Sequence, residues 1–307
     1  MRTLNKQEIM DILIGCTILG TGGGGALKEG IEAVERELAA GKEFKLLDFS
    51  EIRDDGYYVN PYLCGTVVPD DQMVELSGQE LPDAIRALES YMKVEFHGLL
   101  SIEYGGGNTG VAMAAAAHMG KYMVDADAAG RAVPELQFST YYIREQPIAP
   151  FSVSTIYGDA VIVQKVADDA RAEALSRFMA VGSGGLVGMA DHPIRGDRLR
   201  TSVIPNALSY AEQVGRARRL ACESGGDPIQ AILGAGGGQL LYQGTVTPDT
   251  HWEIKDGFTP VSYTHLRSEL KVLSTGGEAR ASLNRAKELC AIDPKPGDLS
   301  MSRLKWR

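Results

Sequence analysis

The first half of the chain alternates between two hydrophobic periods. Apolar residues spaced three and four apart predict helices over residues 5–19, 26–41 and 81–92. Short apolar runs that are typical of strands lie at residues 44–49, 57–59, 63–68 and 94–102. Because helices and strands alternate, we predict an α/β fold with a mixed, mostly parallel sheet.

Acidic side chains follow two of these strands within the stretch 101–140. Glu103 comes directly after a strand, and three glycines separate it from a helix of small residues at about 111–119. Asp125 and Asp127 end the next strand. In open α/β sheets ligands bind outside the carboxyl ends of the strands. The sequence therefore predicts a ligand site where these acids meet the glycines.

The pattern changes after residue 150, where we place a domain boundary. Two β-rich segments within 151–166 predict a hairpin. Helical periods follow at residues 170–181, 208–222 and 227–233. We predict an N-terminal α/β domain over residues 1–150, which carries the glycine loops and the acidic loop. A smaller, β-rich second domain would occupy residues 151–260.

Residues 261–307 differ in character from the rest of the chain. From 263 to 307 there are nine Lys or Arg and five Asp or Glu, a net charge of +4 in a chain whose net charge is −9. The phrase VSYTHLR, which begins at residue 261, resembles translated sequencing-adaptor text. We expect the second domain to be incomplete and this tail to be non-native. The alternative is a divergent basic helix around ARASLNRAKELC.

The glycine-rich residues 20–25 follow a helical pattern in which Asn5 and Glu8 have the spacing of a capping box. They match GxGxxG, and Asp48 stands about where a ribose-binding acid would fall. A dinucleotide site needs a strand directly before the glycines, so we expect no nucleotide. An enzyme that binds a dinucleotide through this loop stays an alternative. In a helix–loop–helix arrangement the backbone N–H groups would face an anionic or carbonyl group of the ligand.

Charge and cysteine content exclude several classes of function. The net charge of −9 and the pI near 5.2 argue against nucleic acid and anionic membranes as partners. The four cysteines show no CxxC spacing, the N-terminus is polar, and no apolar run is long enough to span a bilayer. We expect a cytoplasmic protein with reduced thiols. A homo-oligomer is compatible with the sequence.

Four phrases together carry a family resemblance: ILGTGGGG at 18–25, IEYGGGNTG at 102–110, VDADAAGRAVPELQ at 124–137 and YQGTV at 242–246. They resemble the S-methyl-thiohydantoin desulfurase-like family, long catalogued as a domain of unknown function and often found beside hydantoinases and oxoprolinases. The resemblance implies a larger α/β domain followed by a β-rich domain. It also implies removal of methanethiol from an S-methylated thiohydantoin by water, which yields a hydantoin.

We therefore expect an enzyme, a hydrolase-type desulfurase that acts on such a compound or on a related small cyclic amide or thioamide. The alternative from another class is a non-catalytic partner subunit of a hydantoinase- or oxoprolinase-type enzyme. In either case the resemblance makes an enzyme of that type a candidate partner.

The first catalytic candidate is Glu103, as general base or as ligand anchor, because a partly buried carboxylate can activate water. Its alternative role is an ion pair with Arg131 that holds the loops. Asp125 and Asp127 are the other catalytic candidates, and we expect only one of the two to reach the cleft.

The expected substrate-binding groups are loop glycines and the polar residues beside them. They are Gly22, Gly23, Gly24, Gly106, Gly107, Asn108, Thr109, Arg131 and Glu135. Asn108 is expected to be the N-cap of the following helix, and its side chain can serve a ligand at the same time. Arg131 can clamp a carboxylate or a ring carbonyl, or form an internal salt bridge.

A divalent metal at the acidic loop is an open alternative. If one is present, Asp125, Asp127, Glu135 and His192 are the expected ligands. The five histidines form no HxH, HExxH or Cys/His pair, which argues against a structural zinc site. We place His192 in a loop before Pro193 and favour a surface position for it.

Overall fold

A computed structural model describes residues 1–21, 23–65, 76–240, 251–252 and 261–262. The helices in these residues are α1 Lys6–Gly20, α2 Leu27–Ala39, α3 Glu80–Met92, α4 Gly106–His118, α5 Thr140–Ile143, α6 Asp169–Val181, α7 Gly196–Ser202, α8 Ala207–Glu223 and α9 Pro228–Gly236. The strands are β1 Arg2–Leu4, β2 Phe44–Leu47, β3 Tyr57–Gly65, β4 Phe96–Ser101, β5 Tyr122–Asp127, β6 Phe151–Ser154, β7 Ala160–Val163, β8 Leu186–Arg195, β9 Ile204–Pro205, β10 His251–Trp252 and β11 Val261–Ser262.

One mixed sheet forms the centre of the described chain. Its strands run in the order β1-β2-β5-β4-β3-β8-β6-β7, and β9 pairs with β5. The four strands β2, β5, β4 and β3 are parallel, whereas β1, β8, β6, β7 and β9 pair antiparallel. Strands β10 and β11 form a separate pair. The predicted α/β class with a mixed sheet is confirmed.

Both faces of the sheet are covered. On strand β4, Leu99 belongs to the hydrophobic cluster beneath α1 to α4, and Leu100 belongs to the cluster on the side of α6. Neither side chain is exposed. Successive residues of a strand point to opposite faces. A continuous apolar run such as this one is therefore typical of a central strand that is buried on both sides.

Local signals in the sequence define the first helix. The Asn5 side chain accepts a hydrogen bond from the Glu8 N–H at 3.0 Å, and the Glu8 carboxylate accepts one from the Asn5 N–H at 2.7 Å. This is the predicted capping box. The glycine-rich loop therefore follows a helix, which is not the strand–turn–helix order of a dinucleotide fold. Asp48, the expected ribose-binding acid, instead caps a short turn by accepting the Ser50 N–H at 2.8 Å.

Two helix crossings depend on glycine. A Cβ atom added at Gly15 of α1 would lie 1.8 Å from the carbonyl oxygen of Ala211 in α8. One added at Gly30 of α2 would lie 1.9 Å from the carbonyl oxygen of Gly106 in α4. Real Cβ atoms do not approach other atoms so closely, so these helices pack backbone against backbone. The second crossing positions the start of α4 beside the first glycine loop.

Three predicted elements differ in the structure. Helix α4 begins at Gly106 rather than near residue 111, so Asn108 lies inside its first turn and is not its N-cap. Helix α9 continues through Gly234 and ends before Gly237, whose φ of +63° terminates it. His192 lies in strand β8 and not in a surface loop.

The predicted hairpin is present as β6 and β7, with Phe151 opposite Val163. Strand β3 precedes the predicted boundary at residue 150, and β6 and β8 follow it, yet all three belong to the same sheet. Four helices also lie between that boundary and residue 240. The boundary itself stays a prediction. The predicted strand end at 66–68 and most of the tail from 261 lie outside the described residues. Among the described helices, none is long and apolar enough to cross a membrane.

Candidate functional site

Glu103 stands just beyond strand β4, and protein donors hold both of its carboxylate oxygens. Oε1 accepts the Val133 N–H at 2.9 Å, and Oε2 accepts the Asn108 side-chain amide at 2.8 Å. Burial raises the pKa of Glu103 to about 7, although these two hydrogen bonds lower it, and the nearby Asp127 and Glu173 carboxylates raise it further. The side chain is nonetheless partly accessible. Such a group can take and return a proton near neutral pH.

The first glycine loop packs against this carboxylate. A Cβ atom added at Gly23 would lie 3.8 Å from Glu103 Oε1 and only 2.5 Å from the Cβ atom of Ala132. Gly23 therefore permits a close approach between the glycine loop and the segment that supplies Val133. The structure brings Gly23 and Glu103 together, as the sequence analysis expects of two site residues.

The same glycine loop binds N–H groups at the start of helix α4. The Asn108 N–H donates to the Gly24 carbonyl at 2.8 Å, and the Gly107 N–H donates to the Gly25 carbonyl at 3.3 Å. Gly24 and Gly25 have φ values of +76° and +78°, which side chains rarely tolerate. Protein carbonyls therefore use two N–H groups that the sequence analysis assigns to a ligand. Gly106, beside them, is buried against α2.

Asn108 and Thr109 have different environments, although both were expected to bind substrate. Asn108 is partly accessible and donates to Glu103 from within the first turn of α4. Thr109 is fully buried, with its hydroxyl 3.4 Å from that of Ser101. It also lies beside Cys16, whose thiol has a strongly raised pKa because it is buried. Thr109 is therefore a core residue.

Asp127 ends strand β5 opposite Ser101 of β4 and is completely buried. Its Oδ1 accepts the N–H groups of Ala129 and Gly130 at 2.7 and 2.6 Å. Burial raises the pKa of Asp127 to about 6, although these bonds and the neighbouring Ser101 hydroxyl lower it. Among the residues that the structure describes, none makes a hydrogen bond to Oδ2 of Asp127. A buried carboxylate oxygen without a partner is costly, and such strain is common at functional sites.

Asp125 has a structural environment. Its Oδ1 accepts the N–H groups of Leu208 and Ser209 at 2.9 and 3.0 Å, and its Oδ2 accepts the Ser209 hydroxyl. These are the first residues of α8, so the carboxylate satisfies the free N–H groups of a helix N-terminus. Asp125 and Asp127 are two residues apart in strand β5, so both side chains point to the same face of the sheet, and both raise the pKa of the Cys16 thiol. They differ in that only Asp127 has an unpaired oxygen.

Arg131 and Glu135 lie outside this group. Both side chains are exposed, and the Glu135 carboxylate accepts a hydrogen bond from the Gln137 side chain. The expected ion pair between Glu103 and Arg131 is not formed; Arg131 is exposed, and the Glu103 carboxylate binds Val133 and Asn108. Gly22 lies outside the described residues.

His192 is in the interior, with 1% of its surface exposed. Its Nδ1 lies 3.0 Å from Asp191 Oδ1, its Nε2 lies 3.7 Å from Asp169 Oδ2, and its ring stacks on Tyr141. The surface position predicted for it is wrong, because β8 is a central strand of the sheet.

The conditional metal site is not assembled. Within the described part of the chain, no three or more His, Cys, Asp or Glu side chains are placed to hold a metal ion. Glu135 is exposed, Asp125 caps α8, and His192 belongs to a separate buried cluster. The four proposed ligands therefore do not form one site.

Sequence reasoning missed the groups that hold the Glu103 carboxylate and the cluster around His192. Val133 acts through its backbone N–H, for which a sequence carries no residue-type signal. Asp191 and Tyr62 pair through a 2.7 Å hydrogen bond between buried strands. The polar residues in the otherwise apolar strands β3 and β8 were the available signal.

Two family descriptions cover most of the sequence. The S-Me-THD-like N-terminal domain matches residues 7–165, and the S-Me-THD-like C-terminal domain matches residues 167–284. The second match extends past residue 261 into the tail expected to be non-native.

A crystal structure of a protein from Chromobacterium violaceum has a similar fold, with a TM-score of 0.67. It is 23% identical in sequence, and the match covers 85% of this chain and 74% of that chain. At this identity the similarity concerns the fold alone. No protein among those with curated descriptions matches the sequence.

Proposed function

The chain belongs to the S-Me-THD-like family, and on that premise we propose that it removes methanethiol from an S-methyl-thiohydantoin or a related small cyclic amide or thioamide. Membership supports a desulfurase-like function at the level of the family. The finer proposal, a hydrolytic reaction at Glu103, rests on the geometry around that residue.

The observation that carries the proposal is the Glu103 carboxyl group. Its pKa of about 7 matches the requirement for a general base that works near neutral pH. It lies beyond the carboxyl end of β4, beside Gly23, and remains partly accessible. Asn108 and Val133 fix its orientation, so that little reorganisation is needed when it takes a proton.

In the proposed reaction the Glu103 carboxylate takes a proton from water, and the water oxygen attacks the ring carbon that bears the S-methyl group. The carbon–nitrogen double bond opens, and the ring nitrogen receives one proton. The carbon–sulfur bond then breaks, and sulfur leaves with its electron pair and the second proton as methanethiol. The oxygen remains as the carbonyl of the hydantoin. Glu103 accepts and returns one proton, so it is unchanged.

The test is release of methanethiol from neutral S-methyl-thiohydantoins by the purified full chain, followed with a thiol reagent and by detection of the hydantoin. We expect the two products in equal amounts. If no thiol appears while the chain co-purifies with a hydantoinase- or oxoprolinase-type enzyme, the partner-subunit alternative replaces this proposal. A thermal shift with NAD or NADP tests the dinucleotide alternative.

The charge of Asp127 should affect the pH dependence of the reaction rate. A base must be deprotonated to act, so the rate should rise with pH through about 7, the pKa of Glu103. The Asp127 carboxylate raises that pKa, so the substitution Asp127→Asn should move the rising limb to lower pH. The measurement is kcat/KM against pH for both proteins. An unmoved limb would show that the two carboxyl groups do not interact.

A further inference from the structure

A second buried polar cluster lies on the α6 side of the sheet, around His192. Its imidazole lies between two carboxylates, with Nδ1 at 3.0 Å from Asp191 and Nε2 at 3.7 Å from Asp169. Burial alone would lower the pKa of His192, but the two carboxylates outweigh it and raise the pKa to about 9. The Tyr62 hydroxyl donates to the second oxygen of Asp191 at 2.7 Å. The proposed reaction uses none of these groups.

One side of His192 contacts helix α5, which directly follows the loop that supplies Val133. We call that loop, residues 129–139, the 129–139 loop. The imidazole stacks on the Tyr141 ring, with centroids 4.5 Å apart and planes 17° apart. The Tyr141 hydroxyl donates to the Asn60 side chain of β3 at 2.9 Å. Tyr141 is completely buried, so this stack fixes where the 129–139 loop returns to the sheet.

The other side of His192 reaches the same loop through helix α6. Asp169 is the first residue of α6, and Glu173 lies one turn further along it. The Glu173 carboxylate accepts the Leu136 N–H at 2.9 Å and also pairs with Arg177. The contact between Asp169 and His192 therefore joins α6 to strand β8 of the sheet, and Glu173 of α6 binds the middle of the 129–139 loop.

We propose that His192 is a positioning residue that fixes the 129–139 loop, through Tyr141 and α6, so that the Val133 N–H meets the Glu103 carboxylate. Two buried atoms support this role. His192 Nε2 and Asp169 Oδ2 face each other at 3.7 Å, and neither atom has a hydrogen-bond partner among the residues that the structure describes. A neutral side chain at position 192 would leave the buried Asp169 carboxylate uncompensated, a cost that movement of α6 away from the sheet would relieve.

The experiment is a carbon-13 NMR titration of the Glu103 carboxyl group in the full chain, which requires no turnover. Loss of the Val133 hydrogen bond destabilises the ionised form of Glu103. In the variant His192→Gln we therefore expect its pKa to rise by about one unit. The inference rests on the proposed function only in the catalytic role that it gives to Glu103. If thiol release fails, the titration still tests the position of the loop.

Two further variants keep the test decisive. Asp169→Asn preserves the side-chain volume and removes only the charge that faces His192, so it should raise the pKa of Glu103 in the same direction. Lys121→Gln is the matched control, because it breaks a buried ion pair with Glu89, 2.8 Å long, at the opposite end of strand β5. It should lower stability and leave the Glu103 titration unchanged. A folded His192→Gln or Asp169→Asn protein with the wild-type Glu103 pKa would overturn the proposal, as would an equal shift in Lys121→Gln.

Discussion

Thiol release by the variant Glu103→Gln should fall by about 10²–10⁴-fold, the usual contribution of a general base. Glutamine keeps the length and shape of the side chain and can still accept the Val133 N–H, so the loop should stay in place. What is lost is the group that takes the water proton. We expect the fall in kcat, with little change in KM. The measurement is steady-state thiol release near pH 8, where the wild-type carboxyl group is ionised.

The variant Asp125→Asn is the discriminating comparison for Glu103→Gln. Asp125 lies near the end of strand β5, and its oxygens bind the first turn of α8. Asparagine can still accept those N–H groups, so we expect a modest loss of stability and turnover within a few-fold of wild type. If Asp125→Asn abolished turnover while Glu103→Gln left it intact, the base would have been assigned to the wrong residue.

The variant Gly15→Ala should lower the free energy of unfolding by about 3 kcal/mol, because overpacking at a closed contact forces the backbone apart. Helix propensity alone predicts a higher free energy of unfolding for this variant, since Ala is favoured over Gly by about 1 kcal/mol within a helix. The packing effect should win because the added Cβ would lie 1.8 Å from the Ala211 carbonyl oxygen. Urea unfolding followed by circular dichroism measures the change.

A second helical glycine supplies the control for Gly15→Ala. Gly234 lies in α9 and is exposed, and a Cβ atom added there would have no neighbour within 4 Å in the described part of the chain. The variant Gly234→Ala should therefore show the propensity effect alone, a gain of up to about 1 kcal/mol. Equal stability changes in the two variants would mean that α1 and α8 do not pack as closely as described.

Some features of this fold could be predicted from the sequence alone, and others could not. The capping box of Asn5 and Glu8 and the hairpin within 151–166 were predictable, because they depend on neighbours a few residues away. Strand β8, which contains His192, was not predicted. The start of helix α4 was predicted wrongly, because it depends on residues that are distant in the sequence. Its first glycines lack local helix propensity, and carbonyls of a distant loop satisfy its N–H groups.

The amino-acid sequence by itself determined the α/β class, the family and the placement of Glu103 and Asp127 at the carboxyl ends of neighbouring strands, since periodicity and short phrases carry that information. Only the tertiary structure decided what each acid does. Asp125 meets a helix 83 residues further along the chain, and Glu103 meets a backbone N–H 30 residues away. Burial and hydrogen-bond partners set the pKa of a carboxyl group, and both depend on residues that only the folded chain brings together.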